Sequence, residues 1–296
     1  MTADDTRDPE AGGKTAAEAE TPEAQMRRMA LDIRLLQRKQ FHQRERMLLL
    51  QQGLNQLAGA MADHPGLDYP EDLKPISFLA GSRSDVLFLS FGGVRMGAGI
   101  PPAEFHASLS GRDLPGYFIK DFRQSWYQEG LLGLSQDIAG TEAVLRALIE
   151  RHSPRHVVTL GVSAGGYAAI LFGALLGVDR VAAFSPQIDV DNQVLKLYSG
   201  YDTPPPKQFQ AGARTPPLRR FLRQQPKLPE ISVYYGGEHA FDSSNARALD
   251  GIEQVKLKPL AGVAVHPVTV ELRRTGELAR ILDELVSFAP GSGAEP

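Results

Sequence analysis

The chain has 296 residues, of which 42% are hydrophobic and 23% charged, so it is long enough for one large or two small domains with a buried core. Its net charge of −3 and the lack of a long basic tract in its second half argue against a nucleic-acid partner, and the absence of cysteine excludes disulfides, thiol nucleophiles and cysteine metal ligands. Because the sequence shows no basic and apolar leader and no uninterrupted apolar run of about 18 residues, we expect a cytoplasmic protein without a transmembrane segment.

The N-terminal part of the chain contains two segments of different composition. Residues 1–22 are rich in small and acidic residues and poor in large apolar ones, which predicts disorder. Residues 23–62 carry apolar residues with a seven-residue period, which predicts a long coiled-coil helix and, through residues 26–61, a homo-oligomer. An amphipathic helix lying on its own domain is the alternative. The repeat positions are Met26, Ile33, Gln40, Met47, Leu54 and Met61, with Met29, Leu36, Gln43, Leu50 and Leu57.

A linker with several prolines, residues 63–75, precedes a domain at 76–289 in which apolar strand-like runs alternate with helical patterns. This alternation predicts an α/β fold with a mainly parallel sheet. Residues 188–230 are too long for an ordinary connection and are expected to form a cap, and residues 290–296 to form a disordered tail. The predicted strands are 76–79, 86–91, 117–120, 157–160, 181–184, 231–235 and 254–257. The predicted helices are 141–151, 164–176, 213–223 and 268–287.

A serine lies between glycines where a predicted strand meets a predicted helix. Residues 161–165 read GVSAG and match the pattern G-x-S-x-G, in which the serine is held on a sharp, strained turn. At such a turn the hydroxyl of Ser163 projects from the carboxyl edge of the sheet, beside the free N–H groups of the helix N-terminus. The pattern therefore predicts a nucleophile, the alternative being a small residue at a structural turn.

The serine motif and its context resemble the α/β-hydrolase superfamily of serine esterases and acyltransferases over roughly residues 76–289. In that family the chain order is nucleophile, acid, histidine. The resemblance implies His266 as the general base, in the loop between the last strand and the last helix. It implies Asp242 as the acid that orients this histidine, in a loop that follows the penultimate strand and precedes a helix.

Other assignments of the acid and the base respect the same chain order. Glu238 follows the strand more closely than Asp242 and is an alternative acid for His266. His239 is an alternative base, with Asp189 or Asp191 as its acid. The plain interpretation of His239 is a loop histidine without a catalytic role.

An acyl nucleophile needs N–H donors that stabilise the oxyanion of the tetrahedral intermediate. The resemblance implies the N–H of Ala164 as one donor and a residue after the strand "VLFLSF" as the other, with Gly93 or Val94 as candidates and Gly92 lining the substrate pocket. The family's histidine in this loop is replaced by Phe91. A simple exit from the strand is the alternative interpretation of these glycines.

Three further residues lie after strands that end at the edge near Ser163. They are Asp121, Trp126 and Gln187, which are candidates for the substrate pocket, although packing is an equally plain role for the tryptophan. The stretches "DFRQSWY", "GVSAGGYAA" and "FSPQ" resemble a little-characterised bacterial branch of the hydrolases associated with polysaccharide or glycoconjugate synthesis. No histidine or carboxylate pair recurs at H-x-x-x-H spacing, so neither a metal nor another cofactor is expected.

Together these patterns predict a serine hydrolase of the esterase type that forms an acyl-enzyme on Ser163. The expected substrate is a small-molecule or glycan acyl compound, such as an acylated carbohydrate or glycoconjugate. An O-acyltransferase for a polysaccharide or glycan is one alternative. The other is a catalytically inactive hydrolase fold that serves as a binding or assembly module, oligomerised by the N-terminal helix.

Overall fold

A computed structural model describes residues 74–93, 105–123, 125–190 and 217–288 of the chain. The predicted coiled coil, both predicted disordered ends, most of the linker and residues 191–216 of the predicted cap lie outside the described residues. The coiled coil and the cap therefore stay predictions. No helix within the four described ranges is both long and apolar enough to cross a membrane.

The described part of the chain contains a sheet of seven strands in the order β1-β3-β2-β4-β5-β6-β7. β1 is antiparallel to β3, and every other neighbouring pair is parallel. The predicted α/β fold with a mainly parallel sheet is thus confirmed. The strands are β1 (Ile76–Leu79), β2 (Val86–Phe91), β3 (Gly116–Ile119), β4 (His156–Val162), β5 (Arg180–Phe184), β6 (Glu230–Gly236) and β7 (Val255–Leu260).

Helices cover both faces of this sheet. Along β2, Leu87, Leu89 and Phe91 join one buried apolar cluster while Val86 and Phe88 join the other, because successive side chains of a strand point to opposite faces. Helices α2 to α5 contribute to the first cluster, and α1, α6 and α7 to the second. The helices are α1 (His106–Ser110), α2 (Ile138–His152), α3 (Ala164–Leu176), α4 (Leu218–Gln224), α5 (Ala240–Arg247), α6 (Thr269–Thr275) and α7 (Glu277–Val286).

The central strand β4 lies between β2 and β5 and leads directly into α3. Eleven consecutive residues of α3, from Ala164 to Ala174, are buried. The Thr159 hydroxyl of β4 donates a hydrogen bond to the carbonyl of Ala169 at 2.8 Å, so strand and helix pass close to one another. The residue between β4 and α3 is therefore rigidly placed at the carboxyl edge of the sheet.

Three details of the helices differ from the sequence prediction. The predicted helix 268–287 is two helices, separated at Gly276, whose φ of +80° interrupts the helical backbone. Asp242 was expected in a loop ahead of a helix, but it lies in the first turn of α5. The His239 side chain caps this helix by accepting the Asp242 N–H, and a carboxylate in the first turn is favoured by the helix dipole. The short helix α1, which begins at His106, is absent from the predicted helices.

Candidate functional site

Ser163 occupies a sharp turn between β4 and α3. Its φ is +56° and its ψ −119°, a backbone conformation that non-glycine residues rarely adopt. A Cβ on Gly161 would lie 2.1 Å from the carbonyl oxygen of Gly165, and a Cβ on Gly165 would lie 2.1 Å from that of Phe91. Only glycine therefore fits on either side of the serine. Such local strain persists where the surrounding structure enforces it, most often at functional sites.

His266 and Asp242 extend from Ser163 in a line of hydrogen-bond contacts. His266 Nε2 lies 3.2 Å from Ser163 Oγ, and His266 Nδ1 lies 2.8 Å from Asp242 Oδ1. The tautomer that satisfies both contacts carries its proton on Nδ1 and leaves Nε2 free to accept the serine proton. His266 comes from the loop between β7 and α6, and Asp242 from the start of α5 after β6. The carboxyl edge of the sheet thus brings the three side chains together.

The Asp242 carboxyl lies in a buried and strongly polar environment. Burial alone would raise its pKa, but interactions with the His266 ring and the Ser185 hydroxyl outweigh burial and hold the pKa below its ordinary value. Ser185 Oγ also accepts the N–H of Val268 at 3.0 Å. The lowered pKa keeps Asp242 ionised at neutral pH.

Two backbone N–H groups beside Ser163 are candidates for oxyanion donors. Ala164 is the first residue of α3, where helix N–H groups have no partner within the helix. A Cβ built on Gly93 would lie 3.3 Å from the Val162 carbonyl oxygen and 3.7 Å from Ser163 Cβ, so the Gly93 backbone borders the serine. The third candidate, Val94, lies outside the described residues.

Comparison with known proteins supports this architecture at the level of the fold. No protein-family model matches the sequence, and no curated protein matches it. Est1E from Butyrivibrio proteoclasticus is similar in structure, with a TM-score of 0.50 and 12% identity over 71% of this chain and 93% of that chain. The fold is that of the α/β-hydrolases.

Two further solved structures of the α/β-hydrolase fold resemble this chain. One is FphF, a fluorophosphonate-binding serine hydrolase of Staphylococcus aureus, with a TM-score of 0.49 and 11% identity over 72% of this chain and 92% of that chain. The other is the capsule O-acetyltransferase of Neisseria meningitidis serogroup A, with a TM-score of 0.48 and 14% identity over 69% of this chain and 90% of that chain. The α/β-hydrolase fold expected from the sequence is confirmed by the likeness to Est1E, at the level of the fold alone.

The structure also places the alternative acid and base of this hydrolase fold. The exposed Glu238 accepts the N–H of Gly262 through Oε1 at 2.9 Å, on the loop that precedes His266. His239 Nδ1 lies 3.0 Å from Asp242 Oδ1, and the same nitrogen accepts the Asp242 N–H at 3.2 Å. Within the described parts of the chain, the histidine in hydrogen-bond range of Ser163 Oγ is His266. Of the acids proposed for His239, Asp189 lies near the end of the described range 125–190, and Asp191 lies outside the described residues.

His239, Asp242 and His266 form the group of described residues that could hold a metal ion. One ligand atom from each lies within 4.8 Å of the other two. Imidazole and carboxylate ligands suit zinc and related ions. A search by spacing along one helix misses this group because His239 and Asp242 lie at the start of α5 while His266 lies in the loop between β7 and α6. A metal in this position would compete with the contact between His266 and Asp242.

Asp121, a candidate for the substrate pocket, holds the backbone of the loop after β3. Its carboxylate accepts the N–H groups of Arg123 at 3.0 Å, Ser125 at 2.7 Å and Tyr127 at 2.9 Å. Burial raises its pKa to about 6, although these hydrogen bonds act in the opposite direction. Asp121 therefore fixes the loop backbone, and its place in the substrate pocket stays a prediction.

Trp126 and Gln187, also pocket candidates in the sequence, are joined to one another beside the serine turn. The buried Trp126 indole N–H donates to Gln187 Oε1 at 2.8 Å, and the Gln187 N–H donates to the Ser163 carbonyl at 3.2 Å. Neither Ser185 nor Tyr127 was predicted as a site residue, although both lie at this edge of the sheet. Both have positive φ without being glycine, and a backbone conformation imposed by tertiary contacts leaves no mark in the sequence.

Proposed function

We propose that the protein is a serine hydrolase of the esterase type that acts through an acyl-enzyme on Ser163. The observation that carries the proposal is the continuous line of contacts from Ser163 Oγ through His266 to the buried Asp242. A nucleophile, a base within hydrogen-bond reach and a third group that orients the base are the parts that covalent acyl transfer requires. The fold supports this interpretation because it presents all three at the carboxyl edge of one sheet.

In the first half of the reaction, Ser163 Oγ attacks the carbonyl carbon of the acyl substrate while its proton passes to Nε2 of His266. The negative charge that develops on the carbonyl oxygen is stabilised by the N–H groups of Ala164 and Gly93. The bond to the leaving oxygen then breaks, and that oxygen takes the proton from His266. The ionised Asp242 stabilises the transient imidazolium and keeps its ring in one orientation.

In the second half, water attacks the acyl carbon of the Ser163 ester and gives a proton to His266. The bond between Oγ and the acyl carbon breaks, and His266 returns its proton to the serine. If a sugar hydroxyl takes the place of water, the same steps amount to an O-acyltransferase. We propose an acyl group carried by a carbohydrate or glycoconjugate as the substrate, on the basis of the sequence resemblance described above.

Reaction of the full-length chain with a fluorophosphonate probe tests the nucleophile. We expect stoichiometric labelling of the wild-type chain, loss of labelling in Ser163→Ala, and unchanged labelling in Ser110→Ala, a control at an exposed serine in α1. Hydrolysis of p-nitrophenyl acetate should likewise occur with the wild-type chain and Ser110→Ala and be lost in Ser163→Ala. A folded wild-type chain that neither reacts with the probe nor hydrolyses the ester would contradict the proposal and favour an inactive binding module.

The acceptor is tested with the same acyl-enzyme. Acetylated wild-type protein is mixed with water alone or with a free sugar, and the released acetate and acetylated sugar are measured. Release of acetate at the same rate in both mixtures supports a hydrolase. Formation of an acetylated sugar at the expense of acetate supports the transferase.

A further inference from the structure

A buried tyrosine contacts the backbone of the candidate oxyanion loop, by which we mean Gly92 and Gly93 after β2. The Tyr127 hydroxyl shares its single proton between the Gly92 carbonyl and the Ile119 carbonyl, each at 2.9 Å. The N–H of Gly92 donates to the same Ile119 carbonyl at 2.9 Å. Gly92 is therefore held on both sides, at its N–H by β3 and at its carbonyl by the tyrosine.

The Gly92 carbonyl and the Gly93 N–H belong to one planar peptide group. In a trans peptide these two groups point in opposite directions, so an interaction that fixes the carbonyl also fixes the N–H. The Gly92 carbonyl contacts the buried Tyr127, and the Gly93 backbone borders Ser163. We propose that Tyr127 is a positioning residue that aims the Gly93 N–H at the oxyanion; this inference rests on the function proposed above.

The two glycines explain why such a contact is needed. Without a Cβ, Gly92 and Gly93 have access to many backbone conformations, and a peptide between two glycines rotates more freely than any other. An N–H donor that is held in place stabilises the transition state more than a mobile donor does, because it requires no reorganisation when charge develops. The hydrogen bond from the tyrosine hydroxyl restrains the rotation of the peptide group between Gly92 and Gly93.

Tyr127 is itself firmly held. Its side chain is fully buried, and its ring packs edge-on against Phe91 and Phe172, with centroid separations of 5.5 and 6.4 Å. Burial raises the pKa of its hydroxyl well above the ordinary value, so the hydroxyl keeps the proton that it donates. Its ring and its hydroxyl thus have one well-defined position.

The loop after β3 that carries Tyr127 is held in a backbone conformation that its residues do not favour. Trp126 and Tyr127 have φ values of +55° and +62°, and two successive non-glycine residues in this region are costly. The Asp121 carboxylate holds them by accepting the Tyr127 N–H, and Gln187 accepts the Trp126 indole N–H. The loop thus contacts the serine turn at Gln187 and the oxyanion loop at Gly92.

The role of Tyr127 is tested with the full-length Tyr127→Phe variant, which removes only the hydroxyl. We expect kcat for p-nitrophenyl acetate to fall about 10- to 100-fold, less than the loss of a whole oxyanion donor, with KM within about twofold of the wild-type value. The affinity for a trifluoromethyl ketone, whose adduct with Ser163 carries the oxyanion, should fall by a similar factor. The pH dependence of kcat/KM should not change, because the hydroxyl does not titrate in the working range.

Tyr117→Phe is the matched control. Tyr117 is also a buried tyrosine, and its hydroxyl contacts His152 Nε2 at 2.8 Å at the opposite end of the sheet. Its loss should change stability without changing kcat. Incorporation of 4-aminophenylalanine at position 127 restores an N–H donor and should return kcat to within a few-fold of wild type, which a mere packing role does not predict.

The outcomes separate this inference from the proposed function. If the wild-type chain hydrolyses the ester and Tyr127→Phe has the same kcat and ketone affinity, the role of Tyr127 is refuted and the serine mechanism stands. If Tyr127→Phe is impaired and the amino analogue is equally impaired, the hydroxyl acts through packing and the inference is again refuted. A wild-type chain that does not react refutes both.

Discussion

Asp242 Oδ1 lies 2.8 Å from Nδ1 of His266, and the aspartate side chain is only 1% exposed. In Asp242→Asn an amide can present its NH₂ group to Nδ1, which favours the tautomer that has its proton on Nε2. That nitrogen then no longer accepts the Ser163 proton. We expect kcat for ester hydrolysis to fall about 10³- to 10⁴-fold, with KM little changed. Steady-state kinetics check this, and a variant that keeps more than a tenth of wild-type kcat contradicts Asp242 as the acid.

Glu238→Gln separates the two acids that the sequence leaves open. Glu238 is exposed, and its Oε1 accepts the Gly262 N–H at 2.9 Å, a contact that a glutamine oxygen can also make. We expect kcat and kcat/KM to stay within about threefold of wild type. A loss as large as that of Asp242→Asn would show that Glu238 is the acid. The pair of variants differs by the same oxygen-to-nitrogen change, so each is the control for the other.

Much of this site follows from the sequence because parallel strands are buried on both faces and read as continuous apolar runs. Such a run marks the end of β4, whereas β6 and β7 alternate in burial and are recognised by that alternation; the three strand ends carry the loops that bring Ser163, Asp242 and His266 to one edge. The position of α3 follows equally well, since Ser163 comes directly before it and Gly177, with φ +66°, directly after it.

The features of the site that the sequence does not predict depend on contacts between segments that are distant in sequence. The positive φ at Trp126 and Tyr127 is imposed by the Asp121 carboxylate, and neither residue type favours that conformation. A sequence also shows no difference between a carboxylate that binds a substrate and one that accepts backbone N–H groups. The start of α5 was missed for a similar reason, because its cap is the His239 side chain and not a serine, threonine, aspartate or asparagine.

Gly165→Ala tests the close approach of the serine turn and the oxyanion loop. The new Cβ would lie 2.1 Å from the Phe91 carbonyl oxygen and 2.8 Å from that of Gly92, so the end of β2 must move away from α3. We expect a loss of about 1–3 kcal/mol in the free energy of unfolding, together with a fall in kcat. Urea denaturation and ester hydrolysis measure the two effects.

Gly111→Ala is the control for that substitution. Its φ is −77°, and nothing lies within 4 Å of the added Cβ, so stability should change by less than about 1 kcal/mol, in the stabilising direction. Equal destabilisation by the two variants would mean that the contact between Gly165 and the end of β2 is not tight.

The stability of the protein should also depend on pH through Asp121. Burial raises its pKa from 3.8 to about 6, so in this range the folded chain binds the proton more tightly than the unfolded chain does. The stabilisation from protonated Asp121 is complete below about pH 4 and is lost as the pH rises through about 6. Since the residue keeps some exposure, we expect this contribution to be on the order of 2 kcal/mol.

The measurement is the free energy of unfolding of the wild-type chain minus that of Asp121→Asn, at several pH values between 4 and 7. The asparagine does not titrate, so this difference should fall with rising pH. Asp242 has a lowered pKa, and its contribution has the opposite sign: it is lost only as the pH falls below about 4, and it cancels between the two chains because both contain it. A difference that rises with pH between 4 and 7 would mean that the Asp121 carboxylate is stabilised by its three N–H donors more than it is destabilised by burial.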